Sequence, residues 1–269
     1  VGSSASAVQS GQLVAINPNG TPKWTFATAD WIDCTPAIGA DGTVYLVAPT
    51  RELVAYNGET GHRRWSTPTQ YTAQAGPAIG ADGTIYVASG YNETALEAFD
   101  PDTGTRKWSF SHLQSGNFWF TPTVGADGTV YVSALGEGLF AVDGATGELR
   151  WHVDQAIRSP AALAPNGNLY VGTENGLLAL RTRSLGLANS TWPKFAATSA
   201  NTGRGRALDP ERRGPQQRSQ QRERQDALQR KQRRDVDARR VRDLAEKYNV
   251  MQAAMASAED ASGSVTAAV

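Results

Sequence analysis

The chain has few of the cysteine and histidine residues that form disulfide bonds and metal sites. Its 269 residues include one cysteine, Cys34, and three histidines. One thiol excludes an internal disulfide framework and a cysteine-rich metal site, and three histidines disfavour a histidine-based zinc site. No apolar run approaches the roughly 18 to 20 residues of a membrane helix, and no basic stretch followed by an apolar one marks a secretory signal. The sequence therefore predicts no transmembrane segment.

The formal net charge of zero conceals two regions of opposite sign. Residues 1–203 carry 11 basic and 16 acidic side chains, whereas residues 204–247 carry 15 basic and 8 acidic ones. Such a shift in charge and composition indicates a domain boundary. We expect one domain over residues 1–206 and an Arg- and Gln-rich tail over residues 207–269.

The tail contains one helical pattern. Its apolar residues recur at spacings of three and four, which predicts an amphipathic helix over about residues 236–256. The basic charges are interleaved with acids, so we expect a solvated or disordered extension rather than a nucleic-acid arm. We expect the apolar face of this helix to dock on the preceding domain or to mediate self-association.

A repeat of about forty residues dominates residues 1–203. Four copies contain a Pro-containing segment, an Asp-Gly or Asn-Gly turn, a Thr/Asn-x-Tyr strand and a Leu-x-Ala strand that is followed by a tryptophan. A further copy over residues 13–24 precedes them and contains only the Leu-x-Ala strand and the tryptophan. The prolines are Pro36, Pro77, Pro122 and Pro160; the tyrosines are Tyr45, Tyr86, Tyr131 and Tyr170; the tryptophans are Trp24, Trp65, Trp108, Trp151 and Trp192. The copy over residues 177–192 is irregular. A fixed period of this length is typical of repeat architectures.

Each copy is best explained as four short β-strands. Tight turns at Asp-Gly and Thr-Gly separate β-branched and aromatic runs, and no helical spacing intervenes. Four-stranded units repeated at this period predict a β-propeller rather than a βαβ fold. We expect about five sheets, the first incomplete, forming a ring that is closed or nearly so. A fragment of a larger ring is the alternative.

Structural roles are predicted for the residues of the last turn and strand in each copy. The indoles of Trp24, Trp65, Trp108 and Trp151 are expected to wedge between neighbouring sheets. Turn glycines supply the unusual dihedral angles, and turn aspartates accept hydrogen bonds from turn amides. These residues are Gly61, Gly104, Gly147, Asp100 and Asp143.

The same residues resemble a known family. Residues 98–108 and 141–151 match Ala-x-Asp-x-x-x-Gly-x-x-x-Trp, the tryptophan-docking motif of the PQQ-like repeat, or quinoprotein-type, β-propellers. Residues 55–65 match with Asn57 in place of Asp, and residues 13–24 are one residue short. The resemblance covers about residues 1–204 and implies a periplasmic or secreted protein. Family members are usually larger, which favours the fragment.

Functional residues are expected where loops converge on the central tunnel. Candidate ligand-binding residues on these loops are Asp33, Gln74, Asn117, Trp119 and Arg158. The aromatic residues around Trp119 could instead plug the tunnel. Oxygen donors for a calcium ion would be Asp33, Asn117 and Asp154.

Three hypotheses for function follow. The first is a binding or scaffold module that takes a protein or a small ligand at the tunnel face, and a known outer-membrane assembly lipoprotein of this family supports it by resemblance. The second is a calcium-dependent hydrolase similar in plan to propeller lactonases. The third is a quinone-dependent dehydrogenase; the resemblance disfavours it, because the family's cofactor enzymes have adjacent cysteines and eight blades. We therefore do not expect PQQ to bind. Self-association through an open blade edge is a further hypothesis.

Overall fold

The computed structural model describes residues 11–28, 32–48, 50–91, 93–111 and 117–197. Seventeen strands form five antiparallel sheets within these ranges, and none of the described residues is α-helical. The prediction of an all-β repeat fold is confirmed. Residues 1–10, the tail and its expected helix lie outside the described residues.

The three middle sheets each contain four consecutive strands. The second sheet comprises β3 (Ala37–Ile38), β4 (Val44–Ala48), β5 (Glu52–Tyr56) and β6 (Arg63–Pro68). The third comprises β7 (Ala78–Ile79), β8 (Ile85–Tyr91), β9 (Glu93–Phe99) and β10 (Arg106–Phe110). The fourth comprises β11 (Thr123–Val124), β12 (Thr129–Ala134), β13 (Gly138–Asp143) and β14 (Leu149–Val153).

The two end sheets contain fewer described strands. The first comprises β1 (Gly11–Ile16) and β2 (Pro22–Thr28), and the fifth comprises β15 (Ala162–Leu163), β16 (Asn168–Thr173) and β17 (Gly176–Arg181). By the repeat pattern, β1 and β2 are the third and fourth strands of their unit. The fifth sheet lacks a described fourth strand.

A recurring hydrogen-bonded turn joins the first and second strands of each middle sheet. In the second sheet, Asp41 Oδ1 accepts from the Thr43 backbone N–H at 3.0 Å, while the Thr43 hydroxyl donates to Asp41 Oδ2 at 2.7 Å. Gly42, between them, has φ +80°, which glycine adopts without strain. Asp82 and Asp127 make the same contacts with the threonines two residues on.

Indole side chains join successive sheets. Trp24 Nε1 donates to the Gly58 carbonyl at 2.9 Å, and the equivalent contacts of Trp65 and Trp108 measure 3.1 Å to Pro101 and Gly144. In each case the acceptor belongs to the turn of the following sheet. The tryptophan also packs on its own sheet, with Tyr–Trp ring centroids 5.8 to 5.9 Å apart in the second, third and fourth sheets.

The turn glycines lie directly beneath these rings. A Cβ added to Gly61, Gly104 or Gly147 would be 2.6 to 2.8 Å from the nearest atom of Trp24, Trp65 or Trp108, respectively. All three glycines have positive φ, between +72° and +80°. Both the close approach and the backbone conformation therefore require glycine at these positions.

The described sheets do not close into a ring, contrary to the expected closed or nearly closed propeller. Ile16 of the first sheet is 65% exposed and Leu177 of the fifth is 70% exposed. Both side chains stand at repeat positions that are buried in the middle sheets. The first and fifth sheets therefore do not cover each other in this chain.

Candidate functional site

Residues 186–193, here called the inner segment, cross the innermost strands of three sheets. The Ile79 backbone N–H donates to the Trp192 carbonyl at 2.7 Å, and the Val124 N–H donates to the Pro193 carbonyl at 2.8 Å. The Thr191 hydroxyl donates to the Ile38 carbonyl at 2.6 Å. These acceptors and donors lie on β3, β7 and β11, so the inner segment satisfies polar groups that would otherwise face the central space.

Trp192 ends the copy that is irregular in sequence, and it does not lie on a fourth outer strand. Its indole is buried in the core cluster of the second sheet. The physical reason lies in the preceding turn, where Arg181-Thr182-Arg183-Ser184-Leu185 replaces the Asp-x-x-x-Gly pattern. Without that turn the chain does not fold back beside β17 as a fourth strand.

A pocket of about 230 Å³ opens where the loops leading into four innermost strands converge. We call it the entrance pocket. The inner segment ends beside this pocket. Phe195, which lines the pocket, follows the last residue of the segment, Pro193, by two positions. The lining residues are Asp33, Thr35, Gln74, Ala75, Gly76, Trp119, Phe120, Thr121, Pro160 and Phe195.

The entrance pocket contains three of the five residues predicted to bind a ligand. Asp33, Gln74 and Trp119 come from three different loops, and all three side chains are exposed. Asn117 and Arg158 are not among its lining residues. Arg158 forms an ion pair with Glu174, and the backbone carbonyl of Asn117 accepts from the Leu135 N–H at 2.9 Å.

The geometry does not support the predicted calcium site. Of the three proposed oxygen donors, only Asp33 lines the entrance pocket, while Asn117 and Asp154 do not. Among the described residues, no cluster of three or more His, Cys, Asp or Glu side chains could hold a metal ion. A calcium ion requires about six to eight converging oxygens, and Asp33 is the single carboxylate among the lining residues of the pocket.

The pocket is equally unsuited to an anionic quinone cofactor. Its described lining includes one carboxylate and no lysine or arginine, so it offers no opposite charge to a carboxylate-bearing ligand. Aromatic, amide and hydroxyl groups make up the rest. This set of groups suits a ligand that is neutral or positively charged, with an apolar part to contact Trp119, Phe120 and Phe195.

Buried contacts hold two of the loops that form the pocket. The Gln70 backbone N–H donates to Glu97 Oε2 at 2.9 Å, and Gln70 begins the loop that carries Gln74. The thiol of Cys34, next to Asp33, donates to the Val47 carbonyl at 3.2 Å. Burial raises the pKa of Cys34, so the thiol stays protonated and acts as a structural hydrogen-bond donor.

Several lining residues of the pocket were not predicted from the sequence, among them Thr35, Thr121, Pro160 and Phe195. Thr35 and Thr121 stand at the ends of the same loops that supplied the predicted residues, and Pro160 is the proline of the fourth repeat copy. Phe195 was missed because it follows the inner segment, which the repeat pattern placed elsewhere. The signal for it was the Trp192-Pro193 pair, since proline interrupts a strand ladder.

Comparison with known proteins agrees with this geometry. Radially related, four-stranded antiparallel sheets joined by tryptophan–turn contacts define a β-propeller repeat protein of the PQQ-like class. The family model described as outer membrane protein assembly factor BamB matches residues 9–124 and 71–245. The chain belongs to that family. A search of curated proteins finds no match.

Solved structures show distant likenesses. BamB from Moraxella catarrhalis is 15% identical with a TM-score of 0.42, over 68% of this chain and 70% of that one. The quinohemoprotein alcohol dehydrogenase from Comamonas testosteroni is 17% identical with a TM-score of 0.46, over 66% of this chain. A quinohemoprotein alcohol dehydrogenase from Pseudomonas putida is 18% identical with a TM-score of 0.44, over 60% of this chain. The chain spans 42% and 38% of these two dehydrogenases, respectively.

Proposed function

We propose that this chain is a non-catalytic binding module that takes one side chain of a partner protein into the entrance pocket. The observation that carries the proposal is the convergence of Asp33, Gln74 and Trp119 with Phe195 around one concave site. Its volume of about 230 Å³ matches a large side chain rather than an extended cofactor. The description of the family as an assembly factor supports a protein partner.

The lining predicts which side chain is bound. Exposed aromatic rings at Trp119 and Phe195 offer apolar area and π-faces, and Asp33 adds a negative charge. A lysine or an aromatic side chain would gain from these groups, whereas a glutamate would meet repulsion from Asp33. In the described residues, no helix is long and apolar enough to cross a membrane. By analogy with the family, we place the module in the periplasm or outside the cell.

The proposal can be tested by NMR titration of the full chain. The probes are the N-acetyl amides of lysine, phenylalanine and glutamate at millimolar concentration. We expect the lysine or phenylalanine probe to shift the side-chain signals of Gln74 and Trp119, and the glutamate probe to have no effect. Trp119→Ala should abolish the shifts, whereas Leu149→Ala, at an exposed position on β14, should not.

Two results would contradict the proposal. One is the absence of shifts at pocket residues with every probe. The other is a set of shifts that Trp119→Ala leaves unchanged, because such binding would lie elsewhere on the surface.

A further inference from the structure

The buried carboxylate of Glu97 occupies a repeat position that is apolar in the other four described sheets. It is the residue between leucine and alanine in the Leu-x-Ala strand, and its equivalents are Val14, Val54, Phe140 and Leu178. Glu97 is fully buried, and Val54 and Phe140 are at most 3% exposed. The fold therefore fills this position with an apolar side chain. A buried carboxylate costs free energy that an apolar group does not, and such departures from the repeat pattern are expected at functional sites.

The carboxylate contacts the loop that leads from the second sheet into the third. Glu97 Oε2 accepts from the backbone N–H of Gln70 at 2.9 Å. The Gln70 carbonyl accepts from Nη2 of Arg51 at 2.9 Å, and the Ser109 hydroxyl donates to Gln70 Oε1 at 3.0 Å. Residues from β9, β10 and the turn between β4 and β5 thus converge on Gln70. Both its backbone and its side chain are held.

The same loop is held at two further points before it reaches β7. The Gly90 backbone N–H donates to the Thr72 carbonyl at 2.9 Å. At Gly76 the chain lies so close to Thr35 that an added Cβ would be 2.3 Å from the Thr35 carbonyl oxygen. Both Gly76 and Thr35 line the entrance pocket. The loop is therefore fixed at its start, in its middle and at its end.

Gln74 lies between these fixed points and lines the entrance pocket. Its side chain is exposed, while its neighbours Ala73 and Ala75 are only 7% and 2% exposed. Glu97 is not among the lining residues of the pocket. Any effect of Glu97 on a ligand must therefore pass through the loop.

We propose that Glu97 is a positioning residue of the entrance pocket, which anchors the loop at Gln70 so that Gln74 is in place before a ligand binds. This inference rests on the proposed function of the pocket. A binding group that is already ordered loses less conformational entropy on binding than a mobile one. Glu97 thus lowers the stability of the fold and raises the order of the pocket, which is a common trade-off at binding sites.

The variant Glu97→Leu tests this role, because it restores an apolar side chain of similar volume, as Leu178 provides in the fifth sheet. It should melt at or above the temperature of the wild type, since replacing a buried charge in this way is often neutral or stabilising. In the free protein, the Gln70 amide should exchange with solvent at least about tenfold faster. Nitrogen-15 relaxation should show that the Gln74 backbone and side-chain amides have become more mobile.

Binding should weaken in the same variant. The probe is the N-acetyl amide of lysine or phenylalanine that binds the wild type. Its dissociation constant should rise about two- to tenfold, which corresponds to ordering one side chain on binding. Glu97→Gln keeps an acceptor for the Gln70 N–H and should restore both the order of Gln74 and the affinity.

Val54→Ala is the matched control at the same repeat position of the second sheet. It should lower the melting temperature by leaving a cavity, while Gln74 stays as ordered as in the wild type. The proposal would be overturned by wild-type order of Gln74 in Glu97→Leu, by equal mobility of Gln74 in Val54→Ala, or by a melting temperature of Glu97→Leu below that of Val54→Ala. Exchange and relaxation are measured without a ligand. A wild type that binds no probe would therefore contradict the proposed function, whereas an ordered Gln74 in Glu97→Leu would contradict the role of Glu97 alone.

Discussion

The carboxylate of Glu97 accepts a hydrogen bond from the backbone N–H of Gln70 and thereby links the third sheet to a loop of the entrance pocket. Glu97 is fully buried, and its other oxygen lies 2.9 Å from Nη1 of the half-exposed Arg106. A buried carboxylate requires such partners, because an unpaired buried charge is costly. The contact therefore couples the stability of the fold to the position of Gln74.

Removal of the Arg106 side chain, which pairs with Glu97, should destabilise the folded protein. Arg106→Ala leaves the Glu97 carboxylate buried without its ion pair, and breaking such a pair costs about 3 to 5 kcal/mol. For Arg106→Ala we expect a loss of stability near the lower end of this range, because the Arg106 side chain is partly exposed to solvent. The measurement is urea denaturation of the variant beside Arg64→Ala, whose exposed pair with Asp41 should contribute about 0 to 1 kcal/mol. Equal effects of the two substitutions would refute a special role for Glu97.

The glycines beneath the indoles provide a second prediction. Gly147→Ala introduces a Cβ 2.7 Å from Trp108 and a side chain at φ +80°, whereas Gly128→Ala has nearly the same φ and open space. The backbone strain is about 1 to 2 kcal/mol in both variants, and overpacking adds about 1 to 3 kcal/mol only at Gly147. Thermal melting should therefore rank Gly147→Ala as the less stable of the two. Equal melting temperatures of the two variants would show that the Trp108 ring moves away without cost and would contradict the prediction.

Truncation of an indole should be the most costly single change. Trp108 and Trp151 are partly buried against the core clusters of their sheets. Trp108→Ala and Trp151→Ala are therefore each expected to approach the loss of about 3 to 5 kcal/mol that follows truncation of a fully buried tryptophan. Calorimetry or urea denaturation measures the loss. Melting close to that of the wild type would mean that these rings do not hold neighbouring sheets together.

Alkaline pH should destabilise the fold through two tyrosines. Burial, and then the nearby charge of Asp41, raise the pKa of Tyr45 to about 12, and burial also raises the pKa of Tyr86. The folded protein thus holds these protons more tightly than the unfolded chain, in which the tyrosine pKa is about 10. The resulting stability is complete below about pH 10 and is lost as the pH rises towards 12. Melting temperature against pH should fall in this window, less steeply for the Tyr45→Phe, Tyr86→Phe double variant.

The inner segment yields a prediction about a single hydroxyl. Ser190 Oγ donates to the Ile79 carbonyl at 2.5 Å inside the structure, so Ser190→Ala leaves a buried acceptor without this partner. The expected cost is about 1 to 3 kcal/mol. Ser109→Ala removes an exposed hydrogen bond to Gln70 and is the matched control, with a smaller expected effect. Urea denaturation compares the two. The inner segment would not depend on Ser190 if both variants unfolded at the same urea concentration.

The repeat by itself determined the sheets, their order and the positions of the turns, because each unit carries its strand and turn signals within about forty residues. It also indicated the loops that carry Asp33, Gln74 and Trp119, since those loops precede the innermost strands. The three-dimensional structure alone decided the path of the inner segment and the open ends of the sheet array. Both depend on which strand edges and faces are available after the units have packed, and contacts between residues over a hundred positions apart leave no local pattern in the sequence.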